Sequence, residues 1–458
     1  MGKQKLLLPF GGGAVLDLAL EHFLSSRIDE AVIVVGTDEA VNQRIREIVS
    51  FYSSSSLIVK IVKNNQPQNG QASSLKIGVT HTMAMASGFL FFLGDMPLFS
   101  VKGLNRLIDE FEKKPSGIIV PVYGGKRGNP TIFSSRFRND FLRQEGDFGG
   151  RRILEKNKMS VYSVPMKNES LFMDLDTKDD YLRLIETFEQ KCSSLLKENL
   201  LRLSSTCISI AGGGGKTSLM LFLSGLLKSE GPVMMTTTTK LLSPEIFNYG
   251  SEVEIVKERG ERPLPEEEAE KGDRILWLGK STDDGRKCRG PGLEIIGEVF
   301  KSGEFKTVLL EADGSDGRPV KVHGDGEPVI PPYVNVSISV IGMTALSREC
   351  NSEIIHRYPE FERLFPRHEK IINIDQILKI INHPEGLFSG VPEGVFRILF
   401  CNQWDVITEE DRPWIRRALI AGVKSADLLV LSDLKENGRI IETMKVSDNN
   451  QTVHSECL

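Results

Sequence analysis

Residues 208–227 read ISIAGGGGKTSLMLFLSGLL, and this stretch predicts the architecture of the second half of the chain. An apolar strand runs directly into four glycines, and a helix follows at once. The helix is amphipathic, because apolar side chains return with helical period at Leu219, Met220, Leu223, Leu226 and Leu227. A strand, a glycine loop and a helix in this order are typical of an α/β unit whose helices cover a parallel sheet.

The glycine loop has the chemistry of a phosphate-binding loop. Backbone amides and a helix N-terminus attract phosphate, Lys216 would reach the outer phosphates, and Thr217 would reach Mg²⁺. The full pattern G-x-x-x-x-G-K needs glycine where Ile210 stands, and the shorter form present here is similar to the loop of the Mur-type ATP-dependent ligases. A glycine turn without function is the alternative. The predicted nucleotide-binding residues are Gly212, Gly213, Gly214, Gly215, Lys216 and Thr217.

Six further apolar segments predict the other strands of this unit: PVMMTTTT, DRILWLG, KTVLLEADG, VSISVIGM, VFRILFCN and ADLLVLS. Glu311 and Asp313 follow the strand KTVLL, where a carboxylate of the Walker-B kind would hold Mg²⁺. Each of them could equally be a turn residue. The threonines and Lys240 at the end of the first segment suit phosphate, metal or plain strand packing.

Asn402 and Asp405 follow another strand, in the sequence NQWD. This sequence is similar to the N-K-x-D guanine reader of GTPases, with Gln403 in place of the lysine. Asn and Asp are also common after strands, so the nucleotide of this unit is predicted as ATP or GTP.

The first half of the chain also alternates strands and helices. Its apolar segments are AVIVV, LIVKIV, FLFFL and GIIVPVY, with helical patterns between them. We therefore expect two α/β domains of Rossmann-like or P-loop-like, three-layer type with mainly parallel sheets. The predicted organisation is a first domain at 1–190, a linker at 191–204, a second domain at 205–440 and a polar tail at 441–458.

The segment GDMP places Asp95 at the carboxyl end of the strand FLFFL, where open parallel sheets bind their ligands. A carboxylate there can hold Mg²⁺ beside the phosphates of a nucleotide, and the alternative is a simple turn. Ser73 and Ser74 lie at a predicted helix start, a place suited to an anion or a polar ring. Further polar residues follow glycine-rich turns or strand ends, namely Asn129, Asp147, Arg151, Asp174 and Asp176.

Residues 1–185 resemble the molybdenum cofactor nucleotidyltransferases, and among them the cytidylyltransferase branch. The resemblance rests on MGKQKLLLP, SSLKIG, GDMPLF, RGNPTIF, GDFGGRRIL and DLDT, in this order. It implies a Rossmann-like domain that transfers CMP or GMP from the triphosphate to molybdopterin and releases pyrophosphate. By position, Asp95 would be the catalytic metal ligand, and Asp176 a second carboxylate for Mg²⁺ or Mn²⁺. Lys5 would neutralise the triphosphate, with Gly2, Ser73 and Ser74 as further nucleotide-binding residues and CTP as the donor.

The first residues, MGKQK, match only the end of the family's glycine-rich nucleotide loop. We expect an in-frame extension upstream that encodes a β-branched strand and the first part of this loop. The alternative is a domain that has lost its phosphate cradle and with it its activity.

Residues 205–435 resemble the accessory proteins of selenium-dependent molybdenum hydroxylases. The motifs are AGGGGKTSLM, TTTTKLL, LLEADGSDGRPVK, EPVIPP, HPEGLFSGVP and FCNQWD. The resemblance implies a nucleotide-dependent role in enzyme maturation, with the apo-form of a molybdenum hydroxylase as partner and the molybdopterin cofactor as substrate. A non-catalytic cofactor chaperone or scaffold and an ATP-dependent ligase or kinase are the alternatives.

Composition narrows the class of protein. The chain has 458 residues, more than the roughly 250–300 at which single cores stop growing. Its net charge of −5 does not favour nucleic acid or an anionic membrane as a partner. No apolar run approaches the roughly 18 residues of a membrane span, and no signal peptide is evident. The six cysteines are scattered, which favours a reducing cytoplasm over a disulfide scaffold or a zinc site.

Overall fold

The computed structural model describes residues 4–52, 56–66, 68, 70–144, 149–242, 253–257, 274–281, 287–435 and 438–446. The chain divides into two compact units, one ending at Phe188 and one beginning at Glu189. A long helix, Lys178–Leu200, runs across this division. Of the segment predicted as a linker, the residues up to Leu200 are thus helical.

The first unit alternates strands and helices, as predicted. The strands are β1 (Pro9–Phe10), β2 (Gly13–Ala14), β3 (Glu30–Val35), β4 (Ile58–Lys63), β5 (Gly88–Phe91), β6 (Ile118–Tyr123), β7 (Lys126–Arg127), β8 (Thr131–Ser134) and β9 (Val161–Pro165). The α-helices are α1 (Val15–Leu24), α2 (Glu39–Ser50), α3 (Gln71–His81), α4 (Val101–Lys113), α5 (Arg138–Leu142), α6 (Arg151–Lys156) and α7 (Lys178–Leu200). Short 3₁₀ helices lie at Lys5–Leu7, Ser135–Phe137, Lys158–Ser160 and Glu169–Phe172.

The sheets of the first unit are partly parallel. Strands β3 and β4 pair in parallel, and so do β6 and β9. Strand β8 was not predicted from the sequence, and it pairs antiparallel with both β5 and β6. Only residues 124–130 join β6 to β8, too few for the crossover of a dozen or more residues that a parallel pair needs. The five-stranded sheet is therefore mixed.

The second unit contains the larger sheet. Its strands are β10 (Thr206–Gly212), β11 (Val233–Thr237), β12 (Lys240–Leu242), β13 (Val253–Lys257), β14 (Ile275–Ser281), β15 (Lys287–Arg289), β16 (Thr307–Glu311), β17 (Val320–Lys321), β18 (Val336–Gly342), β19 (Ile355–His356), β20 (Phe396–Asn402), β21 (Leu428–Asp433) and β22 (Arg439–Lys445). Its α-helices are α8 (Lys216–Leu227), α9 (Leu293–Ser302), α10 (Tyr358–Leu364), α11 (Ile374–Asn382) and α12 (Arg412–Gly422). The 3₁₀ helices are Lys228–Glu230, Met343–Ala345 and Trp404–Val406.

The main sheet runs in the order β12-β15-β14-β11-β16-β10-β18-β20-β21-β22, with β13 beside β14. From β14 to β21 every neighbouring pair is parallel, which confirms the predicted α/β class with mainly parallel sheets. Strand β22 pairs antiparallel with β21 and continues to Lys445. The sheet thus extends into the segment predicted as a tail from residue 441, and residues 447–458 lie outside the described part of the chain.

Parallel pairing brings the polar strand ends together. Strand β10 lies between β16 and β18, with Ile210 opposite Glu311 and Gly212 opposite Val340. One strand further along, Gly342 lies opposite Asn402. The glycine loop, the acidic residues and NQWD therefore share one edge of the sheet.

Helix α8 holds the glycine loop against this sheet. Leu219, Met220, Leu223 and Leu227 are fully buried, as the helical period predicts, whereas Leu226 is half-buried. Among the helices in the described part of the chain, none combines the length and the apolar character needed to cross a membrane.

Candidate functional site

The glycine loop has a backbone that only glycine adopts readily. Gly212, Gly214 and Gly215 have φ angles of +98°, +88° and +120°. A Cβ atom at Gly212 would lie 2.2 Å from the carbonyl oxygen of Val340, so the loop also passes too close to strand β18 for any side chain. The first-turn amides of α8 follow directly, and such amides have no acceptor within their own helix. The amides of Gly212 and Gly213 are bonded to Asp313 and Val340, so the end of the loop and the first turn of α8 are the part that can present backbone amides to an anion.

Lys216 is buried at the start of α8. Its ammonium group donates to the carbonyl oxygen of Gly212 at 2.7 Å and to the hydroxyl of Ser315 at 3.1 Å. It also lies 3.2 Å from Asp313 and 3.7 Å from Glu311. Burial opposes the charge, but the two carboxylates outweigh it and raise the pKa of Lys216. Lys216 is thus the cation that lies beside the glycine loop, paired with two carboxylates.

Asp313 joins the loop to a second buried lysine. Its Oδ2 accepts hydrogen bonds from the amide of Gly212 at 2.9 Å and from Nε2 of His323 at 3.0 Å. The ammonium group of Lys321 lies 3.4 Å away. Burial works against ionisation, yet Lys216, His323 and Lys321 together lower the pKa of Asp313. Asp313 is therefore an ionised carboxylate.

Glu311 has a different environment, although it lies only two residues away. Burial raises its pKa to about 7, with Lys216 opposing this shift and Asp313 adding to it. Its Oε2 is buried and has no hydrogen-bond partner among the described residues. The hydroxyl of Thr217, on the first turn of α8, interacts with this carboxyl group. A buried carboxylate oxygen without a partner, beside a phosphate-binding loop, fits a hard cation such as Mg²⁺.

Sequence reasoning missed Ser315, Lys321 and His323. The signal lay in VKVH, where polar residues alternate with valines that face a core. Lys321 has no exposed surface, and its ammonium group donates to the carbonyl oxygen of Gly314 at 2.6 Å. It also lies 3.0 Å from Glu327. A lysine in a strand of valines is a candidate for a buried ion pair, because its charge needs a partner there.

The residues of NQWD are placed in different ways. Asn402 is buried, and its Nδ2 donates to the carbonyl oxygen of Gly214 at 2.8 Å. Its Oδ1 accepts from Ser432 and from the amide of Leu434. Asp405 is exposed. The structure thus brings Asn402 to the glycine loop and leaves Asp405 at the surface.

The threonines of the TTTT segment bond within the protein. Thr236 donates to the carbonyl oxygen of Leu278 at 2.8 Å, and Thr237 donates to that of Glu311 at 3.1 Å. The side chain of Lys240 lies outside the described part of the chain.

In the first unit, Lys5 meets the predicted acidic residues. Its ammonium group lies 2.7 Å from Oδ2 of Asp95 and 3.2 Å from Oδ1 of Asp176, and it donates to the carbonyl oxygen of Leu175 at 2.9 Å. Asp174 lies close by: burial, and then the charges of Asp176 and Asp95, raise its pKa. Lys5 and Asp95, which follows β5, therefore lie close to the carboxylates of Asp174 and Asp176, which precede α7.

Ser73 and Ser74 are held by a residue that the sequence did not single out. Nδ2 of the buried Asn64 donates to both hydroxyls, at 2.9 and 3.0 Å. Asn64 directly follows β4, a position where polar residues at parallel strand ends are functional candidates. Gly2 and Asp147 lie outside the described residues.

No three His, Cys, Asp or Glu side chains within the described ranges are arranged to hold a metal ion by themselves. Any Mg²⁺ at either site would complete its coordination with water or phosphate oxygens, which is the usual habit of this ion.

Two family models match the chain. The model of the MobA-like NTP transferase domain matches residues 1–161, and that of the YqeC protein matches residues 208–359. The uncharacterized protein YqeC of Escherichia coli (strain K12) is 31% identical over 201 residues, which cover 43% of this chain and 76% of that protein.

Two further relatives each match about 40% of the chain. The purine catabolism protein PucB of Bacillus subtilis (strain 168) is 31% identical over 186 residues, covering 40% of this chain and 87% of that protein. The molybdenum cofactor cytidylyltransferase of Escherichia coli (strain K12) is 26% identical over 193 residues, covering 42% of this chain and 91% of that protein.

Proposed function

The chain belongs to both families, with a MobA-like NTP transferase domain followed by a YqeC domain, and from this we propose that it serves the maturation of molybdenum hydroxylases. The first domain transfers CMP from CTP to the molybdopterin cofactor and releases pyrophosphate. The second domain binds ATP or GTP for an accessory step toward the apo-hydroxylase.

The convergence of Lys5 with Asp95 and Asp176 carries the proposal for the first domain. Asp95 and Asp176 would hold Mg²⁺ or Mn²⁺, which supplies charge neutralisation to a triphosphate. Lys5 holds the side chain of Asp95 in place, and the 17% of this side chain that is exposed leaves it open to a ligand. Lys5 adds a cation for the phosphates, and the hydroxyls of Ser73 and Ser74 would bond to the nucleotide.

The glycine loop carries the proposal for the second domain. The loop, whose glycines have positive φ angles, leads into the first turn of α8, and the amides there can bind the phosphates. Lys216 supplies the positive charge. Glu311, with an unpartnered buried oxygen, supplies a carboxylate for the metal ion that accompanies the nucleotide.

The test is CMP transfer from labelled CTP to molybdopterin by the full chain. Replacing Asp95 with Asn should remove several kcal/mol of transition-state stabilisation, which corresponds to a loss of roughly a hundred-fold or more. Asp140→Asn is the matched control, because Asp140 is an exposed aspartate on α5 of the same domain.

Equal turnover of the two variants would contradict the assignment of Asp95. Nucleotide and cofactor binding without any CMP transfer in the wild type would favour the chaperone or scaffold function instead.

A further inference from the structure

Two carboxylates lie at the end of strand β16, Glu311 as its last residue and Asp313 two residues later, and they differ in what surrounds them. Glu311 and Asp313 are both almost completely buried, at 3% and 0% exposure. Both lie within 4 Å of the ammonium group of Lys216. Either of them could therefore be read as the metal-binding carboxylate of the YqeC domain.

Asp313 is built into the protein by groups other than Lys216. Its Oδ2 accepts from the amide of Gly212, the first glycine of the loop, and from His323. His323 is itself held in place, because its Nδ1 lies 3.2 Å from the carbonyl oxygen of Gly386. Lys321 is likewise held by Gly314 and Glu327.

Glu311 has Lys216 as its cation, and the hydroxyl of Thr217 is a further, uncharged contact of its carboxyl group. The distance between its Oε1 and the ammonium group is 3.7 Å, and its Oε2 has no hydrogen-bond partner among the described residues. Apart from Lys216, no lysine, arginine or histidine forms an ion pair with Glu311 in the part of the chain that the structure describes.

A triphosphate in the glycine loop would draw the ammonium group of Lys216 toward its outer phosphates. Asp313 would keep Lys321, His323 and the Gly212 amide, so its charge stays compensated. Glu311 would become a buried carboxylate without a cation, which is costly in a protein interior. Oδ1 of Asp313 also has no hydrogen-bond partner among the described residues, but the charge of Asp313 stays paired through Oδ2 with Lys321 and His323. A divalent cation arriving with the triphosphate would replace the cation that Glu311 has lost.

From this asymmetry, and resting on the proposed nucleotide binding by the second domain, we propose a division of roles. Glu311 is the residue that takes the divalent cation of the bound nucleotide. Asp313, with His323 and Lys321 behind it, is a positioning residue that holds the first glycine of the loop and remains there when the nucleotide binds.

The experiment is a titration of the full chain with a fluorescent triphosphate at increasing Mg²⁺ concentration. For Glu311→Gln we expect the Mg²⁺ concentration at half-saturation to rise by roughly 10–100-fold, while triphosphate binding in EDTA is retained. For Asp313→Asn we expect weaker triphosphate binding with and without Mg²⁺, and an unchanged half-saturating Mg²⁺ concentration. Glu298→Gln, an exposed substitution on α9, is the control and should change neither quantity.

Because Asp313→Asn breaks a buried ionic cluster, its folding is checked by tryptophan emission. His323→Gln is the milder second variant, and it should weaken triphosphate binding without moving the Mg²⁺ dependence. A Glu311→Gln variant with wild-type Mg²⁺ dependence would overturn the inference while leaving the nucleotide site intact. Loss of Mg²⁺ dependence in Asp313→Asn or His323→Gln would overturn it too. A wild type that binds no triphosphate would refute the proposed function itself.

Discussion

Replacing Gly212 with Ala tests the tightest point of the glycine loop. The residue has a φ of +98°, and an added Cβ would lie 2.2 Å from the carbonyl oxygen and 3.0 Å from the nitrogen of Val340. Val340 cannot withdraw freely, because it is paired with Gly212 in the sheet and its carbonyl accepts the amide of Gly213 at 2.9 Å. The backbone of the loop or of β18 must therefore shift.

The expected cost follows from these contacts. A non-glycine residue in a left-handed conformation costs about 1–2 kcal/mol. Displacing the loop also weakens the Gly213–Val340 and Gly212–Asp313 hydrogen bonds, each worth about 1 kcal/mol. The total is about 3 kcal/mol. In a domain of this size it should lower Tm by about 6–12 °C, since 1 kcal/mol corresponds to roughly 2–4 °C.

Tryptophan emission during thermal unfolding reports on the second unit, which contains the substitution. The three tryptophans, Trp277, Trp404 and Trp414, all lie in the second unit, and the first two are fully buried. Gly225→Ala is the matched control in α8, because an added Cβ there meets nothing within 4 Å. In a helix, Ala is favoured over Gly by about 0.8–1 kcal/mol, so this variant should unfold at a slightly higher temperature. Equal Tm values for Gly212→Ala and the wild type would refute the steric reasoning.

Three further predictions concern the second unit. Lys216→Ala should abolish triphosphate binding for every base, because it removes the cation beneath the loop; calorimetric titration with ATP and GTP measures this. If NQWD recognises guanine, Asp405→Asn should weaken the binding of GTP and strengthen the binding of xanthosine triphosphate. Tighter binding of ATP than of GTP in the wild type, or an unchanged order of affinities in the variant, would contradict guanine recognition. The cysteine thiols in the described part of the chain should react with a disulfide reagent at pH 8 only after unfolding in urea. All five are buried, and burial raises the pKa of Cys207 to about 12. Rapid modification of several thiols in the native protein would contradict this prediction. These thiols are Cys192, Cys207, Cys288, Cys350 and Cys401.

Local pattern was enough to predict the α/β class, the glycine loop between β10 and α8, and the acidic residues at the end of β16. These features depend on short-range physics: helical period, β-branched runs, and the tendency of glycine to mark tight turns.

The tertiary structure alone decided which side chains complete each site. Lys321, on β17, and His323 contact the carboxylate of Asp313, and no periodicity of the sequence encodes that approach. In the same way, the hydrogen bonds from Asn64 to Ser73 and Ser74 join the end of β4 to the first turn of α3. The sequence could place two carboxylates at one strand end. Their different roles depend on which cations the folded chain brings to each: Lys216 approaches both, whereas the path of the chain after Asp313 brings Lys321 and His323 to Asp313 only.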